Sequence, residues 1–285
     1  MGRALVCNSA GKLNTGGGTF ADTLAAVSPD SLSVANYDAP ADVAGARVLE
    51  MWGIDSASVA EIAVTLSRQQ SVNDQTRGVR FNIPALIPGG AGTVGSHNML
   101  PGLATIPLYK SDTFAFTVTS TANDEVCVTW NTLYDDLPGV NAVLASWDQV
   151  QALRYTTIGL ACNAVASGTA GSTYGTARAL NADDTRLIAN TWYAILGITV
   201  QTIVCSVTFT GPDWGGQRLG LPAGALTTDS ATYFVDQSVK WGKPLIPCFN
   251  SNNQGNINVQ VLDSIASTSP KIDFLMYGLT GKPGF

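Results

Sequence analysis

Residues 46–54 read ARVLEMWGI, and residues 191–198 read TWYAILGI. Both runs are dense in apolar, β-branched and aromatic side chains, which predicts strands. Both end in Gly-Ile, at Gly53-Ile54 and Gly197-Ile198. Four more pairs of short runs follow in the same order. Residues 81–85 (FNIPA) match 219–223 (LGLPA), and 106–111 (IPLYKS) match 246–251 (IPCFNS). Residues 114–119 (FAFTVT) match 257–262 (INVQVL), and 126–134 (VCVTWNTLY) match Ile272–Leu279 (IDFLMYGL). The two members of each pair lie about 140 residues apart, a spacing that predicts one duplicated all-β module.

Outward from these landmarks the β signal continues. Residues 61–66 (EIAVTL) alternate polar and apolar. Val79, Phe81 and Ile83 share one strand face, as do Phe114, Phe116 and Val118, and Val126, Val128 and Trp130. Period-two alternation of this kind marks half-buried antiparallel strands. Turn chemistry at 71–76, 88–95 and 121–124 separates them. In the second half the expected strands are 191–198, 202–210, 218–221, 245–249, 256–262 and Ile272–Leu279, with an earlier one at 157–161. Residues 228–240 (TDSATYFVDQSVK) predict a short helix that the first half lacks.

Between the halves the period changes. Val143, Leu144, Trp147, Val150 and Leu153 recur at three- and four-residue spacing. That predicts an amphipathic helix of about four turns, with Asn141 as its N-cap. Residues 1–30, with Gly16-Gly17-Gly18, read as an N-terminal arm. The expected organisation is an arm at 1–30, a first β-sandwich at 31–139, a helical connector at 140–155 and a second β-sandwich at 156–285. Seven or eight strands per module suit a sandwich, and a jelly roll takes eight in two Greek keys. No Cys…Trp…Cys pattern favours an immunoglobulin-like alternative.

Composition limits the function. Hydrophobic residues make up 45% of the 285 and charged residues only 13%. The usual charged share is about 25%. A surface filled by Asn, Ser, Thr and Gly suits either extensive burial against neighbouring subunits or a stable extracellular β-protein, and hints at assembly. The net charge is −6 and the 15 basic residues are scattered. Without a Lys/Arg cluster, direct nucleic-acid binding is not expected. The five cysteines, at 7, 127, 162, 205 and 248, form no CxxC pair. They read as buried free thiols in a protein that matures in a reducing compartment. No secretory h-region, myristoylation signal or 18-residue apolar run is legible, so no transmembrane segment is expected.

The search for catalytic groups is brief. His97 is the single histidine and sits in a Gly-rich loop. One histidine cannot assemble the metal site of a cupin, and no nucleophile elbow accompanies it. Asp135-Asp136 and Asp183-Asp184 are adjacent pairs and do not face each other across a cleft as glycosidase carboxylates do. No G-x-x-x-x-G-K-S/T loop is present. Among six tryptophans, Trp214 in GPDWGG and then Trp241 before Gly242 have loop-like contexts. Trp214, Trp241 and His97 are therefore the candidates for an intersubunit or ligand-facing loop. Packing of a loop tryptophan beneath its own loop is the alternative. No catalytic residue, cofactor or metal is expected, and the chain is not expected to be an enzyme.

Two paired sandwiches, a short helical connector, a terminal arm and a charge-poor surface resemble a small double jelly-roll major capsid protein of an icosahedral virus or bacteriophage. That resemblance implies trimers whose six jelly rolls form a pseudo-hexagonal tile, with no catalytic residues to carry over. It implies homo-oligomeric partners, assembly in the host cytoplasm and residence in the virion capsid. A decoration, cement or spike protein on another shell uses the same sandwiches. A carbohydrate-binding β-sandwich protein is a further alternative, and depends on an exposed Trp214.

Overall fold

The computed structural model describes residues 4–13, 20–23, 25–26, 47–55, 61–67, 79–84, 106–107, 113–120, 125–135, 142–162, 173–200, 204–222, 228–263 and 270–284. Strands dominate. The first half contains β1 (Ala4–Leu13), β2 (Phe20–Thr23), β3 (Ala25–Ala26), β4 (Arg47–Asp55) and β5 (Glu61–Ser67). It continues with β6 (Val79–Pro84), β7 (Ile106–Pro107), β8 (Thr113–Ser120) and β9 (Glu125–Tyr134). The second half contains β10 (Leu144–Ala145), helix α1 (Trp147–Leu153), β11 (Arg154–Cys162), β12 (Arg178–Ala179), β13 (Trp192–Val200) and β14 (Val204–Thr210). It closes with β15 (Leu219–Pro222), helix α2 (Tyr233–Trp241), β16 (Ile246–Asn250), β17 (Asn258–Asp263) and β18 (Ile272–Leu279).

The strands form four antiparallel sheets. In the first half they run β3-β1-β9-β4-β7 and β2-β8-β5-β6. In the second they run β10-β16-β13-β18-β11 and β12-β17-β14-β15. With the two-residue strands β3 and β10 set aside, and the equally short β7 and β12 kept, the described residues of each half contain eight strands. Counted along the chain, one sheet of each half holds them in the order first, eighth, third, sixth. The other holds them in the order second, seventh, fourth, fifth. The five sequence landmarks fall on the third, fifth, sixth, seventh and eighth strands of both halves.

In the second half, period-two alternation builds the core. Ile272, Phe274 and Met276 of β18 are buried, and the residues between them are half-buried. Phe209 of β14 meets Phe274 across the two sheets, ring centroids 5.9 Å apart and edge to face. The expected helix at 228–240 is present as a 3-10 turn over Thr228–Thr232 that runs into α2. This segment lies on β13 where Gly197 leaves room. A Cβ there would stand 2.1 Å from the Ser230 carbonyl oxygen.

Two expectations need correction. The connector is not a four-turn helix from 140. Leu144 and Ala145 are extended and pair with Pro247 and Ile246, and the helix begins only at Trp147. Ser146 sets that boundary, its Oγ accepting from the Gln149 amide while the Gln149 side chain accepts from the Ser146 amide. Asn141 lies outside the described residues. Nor is residue 4 onward a free arm. Residues 4–13 pair with β9 along ten consecutive positions, from Ala4 opposite Tyr134 to Leu13 opposite Glu125.

Candidate functional site

Among the described residues, a buried polar seam lies where the two halves meet. On β1 the alternate residues Leu5, Cys7 and Ser9 point one way, and on β9 Thr129, Asn131 and Leu133 join them on the same face. Opposite stand Ser206 and Thr208 of β14, Gly220 of β15, Tyr174 and Tyr233. All of the polar side chains named here are buried. The Ser9 hydroxyl is 3.0 Å from that of Thr129 and 2.8 Å from that of Tyr174. Tyr174 in turn stands 3.5 Å from the Ser206 hydroxyl. Asn131 Nδ2 donates to the Tyr233 hydroxyl at 2.5 Å and to the Gly220 carbonyl at 3.4 Å.

Backbone also crosses. The Cys7 amide donates to the Arg218 carbonyl at 2.9 Å, and the Arg218 guanidinium lies 4.9 Å from the centre of the Tyr174 ring. At the rim, Lys243 Nζ is 3.6 Å from an Asp135 carboxylate oxygen. Gly220 sets the closeness of approach, since a Cβ on it would stand 3.0 Å from Cys7 Sγ and 2.6 Å from the Val207 carbonyl. The buried hydroxyls of Ser9, Thr129, Tyr174 and Ser206 satisfy one another and so fix the docking geometry, because sliding one sheet past the other strands them without partners. The connector adds to this fixation on the side of the second half. The Val143 amide donates to the Asp213 carbonyl, and the Cys248 amide donates to the Val143 carbonyl, both at 2.9 Å.

The sequence candidates end up elsewhere. Trp214 is not an exposed loop aromatic. It is 0% exposed, with its ring 5.2 Å from Phe209 and 6.2 Å from Phe249, both edge to face. The Pro212–Trp214 segment is a 3-10 turn closed by Gly215 at φ 65°, and this turn folds the indole inward. Trp241 ends α2 half-buried against the core. Its Nε1 donates to Gln237 Oε1 at 2.8 Å, and Lys240 Nζ lies 4.7 Å from the ring centre. The structure does not bring Trp214 and Trp241 together into one surface. His97 lies outside the described residues.

The acidic pair at 183 and 184 divides between two arginines. Asp183 pairs with Arg178, and Asp184 with Arg186. The hydrogen bonds from Arg186 hold the Asp184 carboxyl below its ordinary value. Cys7, Cys162 and Cys248 are buried, as the sequence implies. Burial pushes the Cys162 thiol up to about 12, with Asp183 adding to the rise and Arg178 opposing it. Among the described residues no three His, Cys, Asp or Glu side chains stand together as metal ligands. Among them, too, no helix is long and apolar enough to cross a membrane.

No family model and no curated protein matches the chain. Two of the solved structures similar to it cover nearly its whole length. One is the PBSX exported protein XepA, 11% identical with a TM-score of 0.22, covering 96% of this chain and 86% of that one. The other is the major capsid protein P2 of bacteriophage PM2, also 11% identical at a TM-score of 0.22, covering 99% of this chain and 100% of that one. Likeness at this level carries no argument about the role of the chain.

The seam residues escaped the sequence reading. Their one signal is the presence of Ser, Thr and Asn at alternate positions of strands that are otherwise apolar, at Ser9, Thr129, Asn131, Ser206 and Thr208. In a chain poor in charge, that pattern resembles an ordinary solvent face.

Proposed function

We propose that this chain is a structural building block of a virus or bacteriophage shell, with two tandem jelly rolls in one subunit. The single observation that carries the reading is the strand order. Eight strands divided as first-eighth-third-sixth and second-seventh-fourth-fifth fit the double Greek key of a jelly roll. The same order occurs in both halves. In this reading the first jelly roll spans β1 to β9, the second spans β11 to β18, and residues 142–153 join them.

The seam supports a rigid double unit, which is what a tile requires. Three such subunits supply six jelly rolls, the number that fills a pseudo-hexagonal position. Lateral contacts between tiles then use surfaces rich in Asn, Ser and Thr, with exposed apolar residues such as Val239 and Ile188, and bury few charges. The role is structural, not catalytic, and the place of the protein is the virion capsid after synthesis in the host cytoplasm. The carbohydrate-binding alternative loses its platform, because the indole it needs at the surface is Trp214.

Light scattering and electron microscopy of one purified sample test this. Trimers, flat sheets or closed shells are the expected outcome. A chain that stays monomeric at high concentration would overturn the reading.

A further inference from the structure

The two halves treat one sheet edge differently. Val128 lies opposite Gly53, and Leu275 lies opposite Gly197, the paired landmark glycines. Ala10 is opposite Val128, and Gly159 is opposite Leu275. Ala10 and Gly159 therefore occupy the same place in the two halves, on the first strand. In the first half an added strand covers that place. β3 pairs Ala26 with Ala10 and Ala25 with Gly11, and the Cys7 amide nearby is taken by Arg218.

In the second half, among the described residues, no strand pairs with the outer edge of β11. Two side chains stand there. Arg186 Nη2 donates to the Gly159 carbonyl at 2.6 Å, which occupies an outward backbone acceptor of β11, and Asp184 backs Arg186. Asp184 holds Arg186 in place through Nε, 2.9 Å from both carboxylate oxygens, and through Nη2 at 2.5 Å.

We propose that the Asp184–Arg186 pair is a removable plug that keeps the edge of β11 from pairing with β11 of a second copy of this chain. An open edge of this kind is a template for another strand. Residues 155–162 (YTTIGLAC) carry no charge, so two copies approach antiparallel without repulsion. Gly159 has open space where a side chain would stand, and Tyr155, nearer the start of the same strand, is 48% exposed. Antiparallel pairing of identical edges is a closed two-fold contact, so it stops at two copies. The plug is lightly held, because the Arg186 side chain is 65% exposed and exposed ion pairs contribute little.

The experiment compares full-length wild type with Arg186→Ala across a concentration series, by light scattering and by hydrogen exchange of β11. The variant is expected to reach roughly double the wild-type mass at equal concentration, with slowed exchange across residues 155–161. Adding Thr157→Lys places like charges across the two-fold and returns the mass to that of wild type. Arg186→Lys keeps the charge but loses the fork, and serves as the second test if the alanine variant does not fold. Wild-type mass together with faster exchange across 155–161 would overturn the proposal. So would a raised mass that Thr157→Lys leaves unchanged. The wild-type mass tests the shell reading and the difference between variant and wild type tests the plug, so either can fail alone.

Discussion

Ser9 and Tyr174 are 165 positions apart in the chain, and their hydroxyls stand 2.8 Å apart in the buried seam. Each half contributes one partner, so this contact reports directly on how firmly the halves are joined. Ser9→Ala and Tyr174→Phe are each expected to cost about 1 kcal/mol in denaturant unfolding. The double variant should cost less than the sum, because the two side chains share one contact. Strict additivity in the double-mutant cycle would show that the hydroxyls do not couple.

Gly197→Ala should be more damaging than Gly220→Ala. A Cβ on Gly197 meets only backbone, 2.1 Å from the Ser230 carbonyl oxygen and 2.4 Å from that of Ala231. On Gly220 the nearest atom is the Val207 carbonyl at 2.6 Å, and the next are the buried Thr208 methyl and Cys7 sulfur. Overpacking of this sort costs about 1–3 kcal/mol or more, and the lower figure suits Gly220, where one backbone contact is met and at a longer distance. Thermal melts of the two variants rank them, and a Gly197→Ala melt equal to wild type would refute the packing of the Ser230 turn on β13.

Trp214→Ala should unfold the second half more readily by about 3–5 kcal/mol, the usual cost of emptying a large aromatic site. Trp214→Phe should cost much less. It retains edge-to-face packing on Phe209 and Phe249, and it removes an indole N–H that has no partner among the described residues. An alanine variant with wild-type stability would return Trp214 to the surface.

Thiol labelling separates the seam from the core. Burial raises Cys248 and Cys162 and withholds both from reagent, so native protein at mildly alkaline pH should leave them unmodified. Cys7 is equally buried but faces the other half, so it becomes accessible whenever the seam opens. Mass mapping of alkylated peptides over time should find Cys7 labelled before Cys248. The reverse order would mean that the seam outlasts the core of the second half.

How much of this was legible depended on whether a residue's neighbours are local. The third, fifth, sixth, seventh and eighth strands of each half announce themselves through alternation or paired landmarks, because their own side chains state which face is buried. β1 does not. Asn8 and Ser9 are consecutive, point to opposite faces and are both buried, so no apolar stripe appears. The glycines at 16–18 then make the whole segment resemble an arm. The connector misled for a different reason. Val143 and Leu144 are apolar because both are buried in extended chain, while Trp147, Val150 and Leu153 follow the helical period. Two short elements in series imitated one longer helix. Trp214 was misplaced because Pro, Asp and Gly mark a turn without stating which way the turn folds.

The ten-residue ladder between β1 and β9 also sets an order of events during synthesis. β1 leaves the ribosome before β9, its ten-residue partner, which begins only at Glu125. Its other face waits longer, for Tyr174 and then Ser206. Pairings so distant along the chain form slowly, and the chain between them must first lose its freedom. Apart from its short pairing with β3, β1 is therefore held in reserve until β9 has been made. A nascent chain arrested before Tyr174 would display Ser9, Thr129 and Asn131 as an uncovered face, a natural place for a holding chaperone to bind.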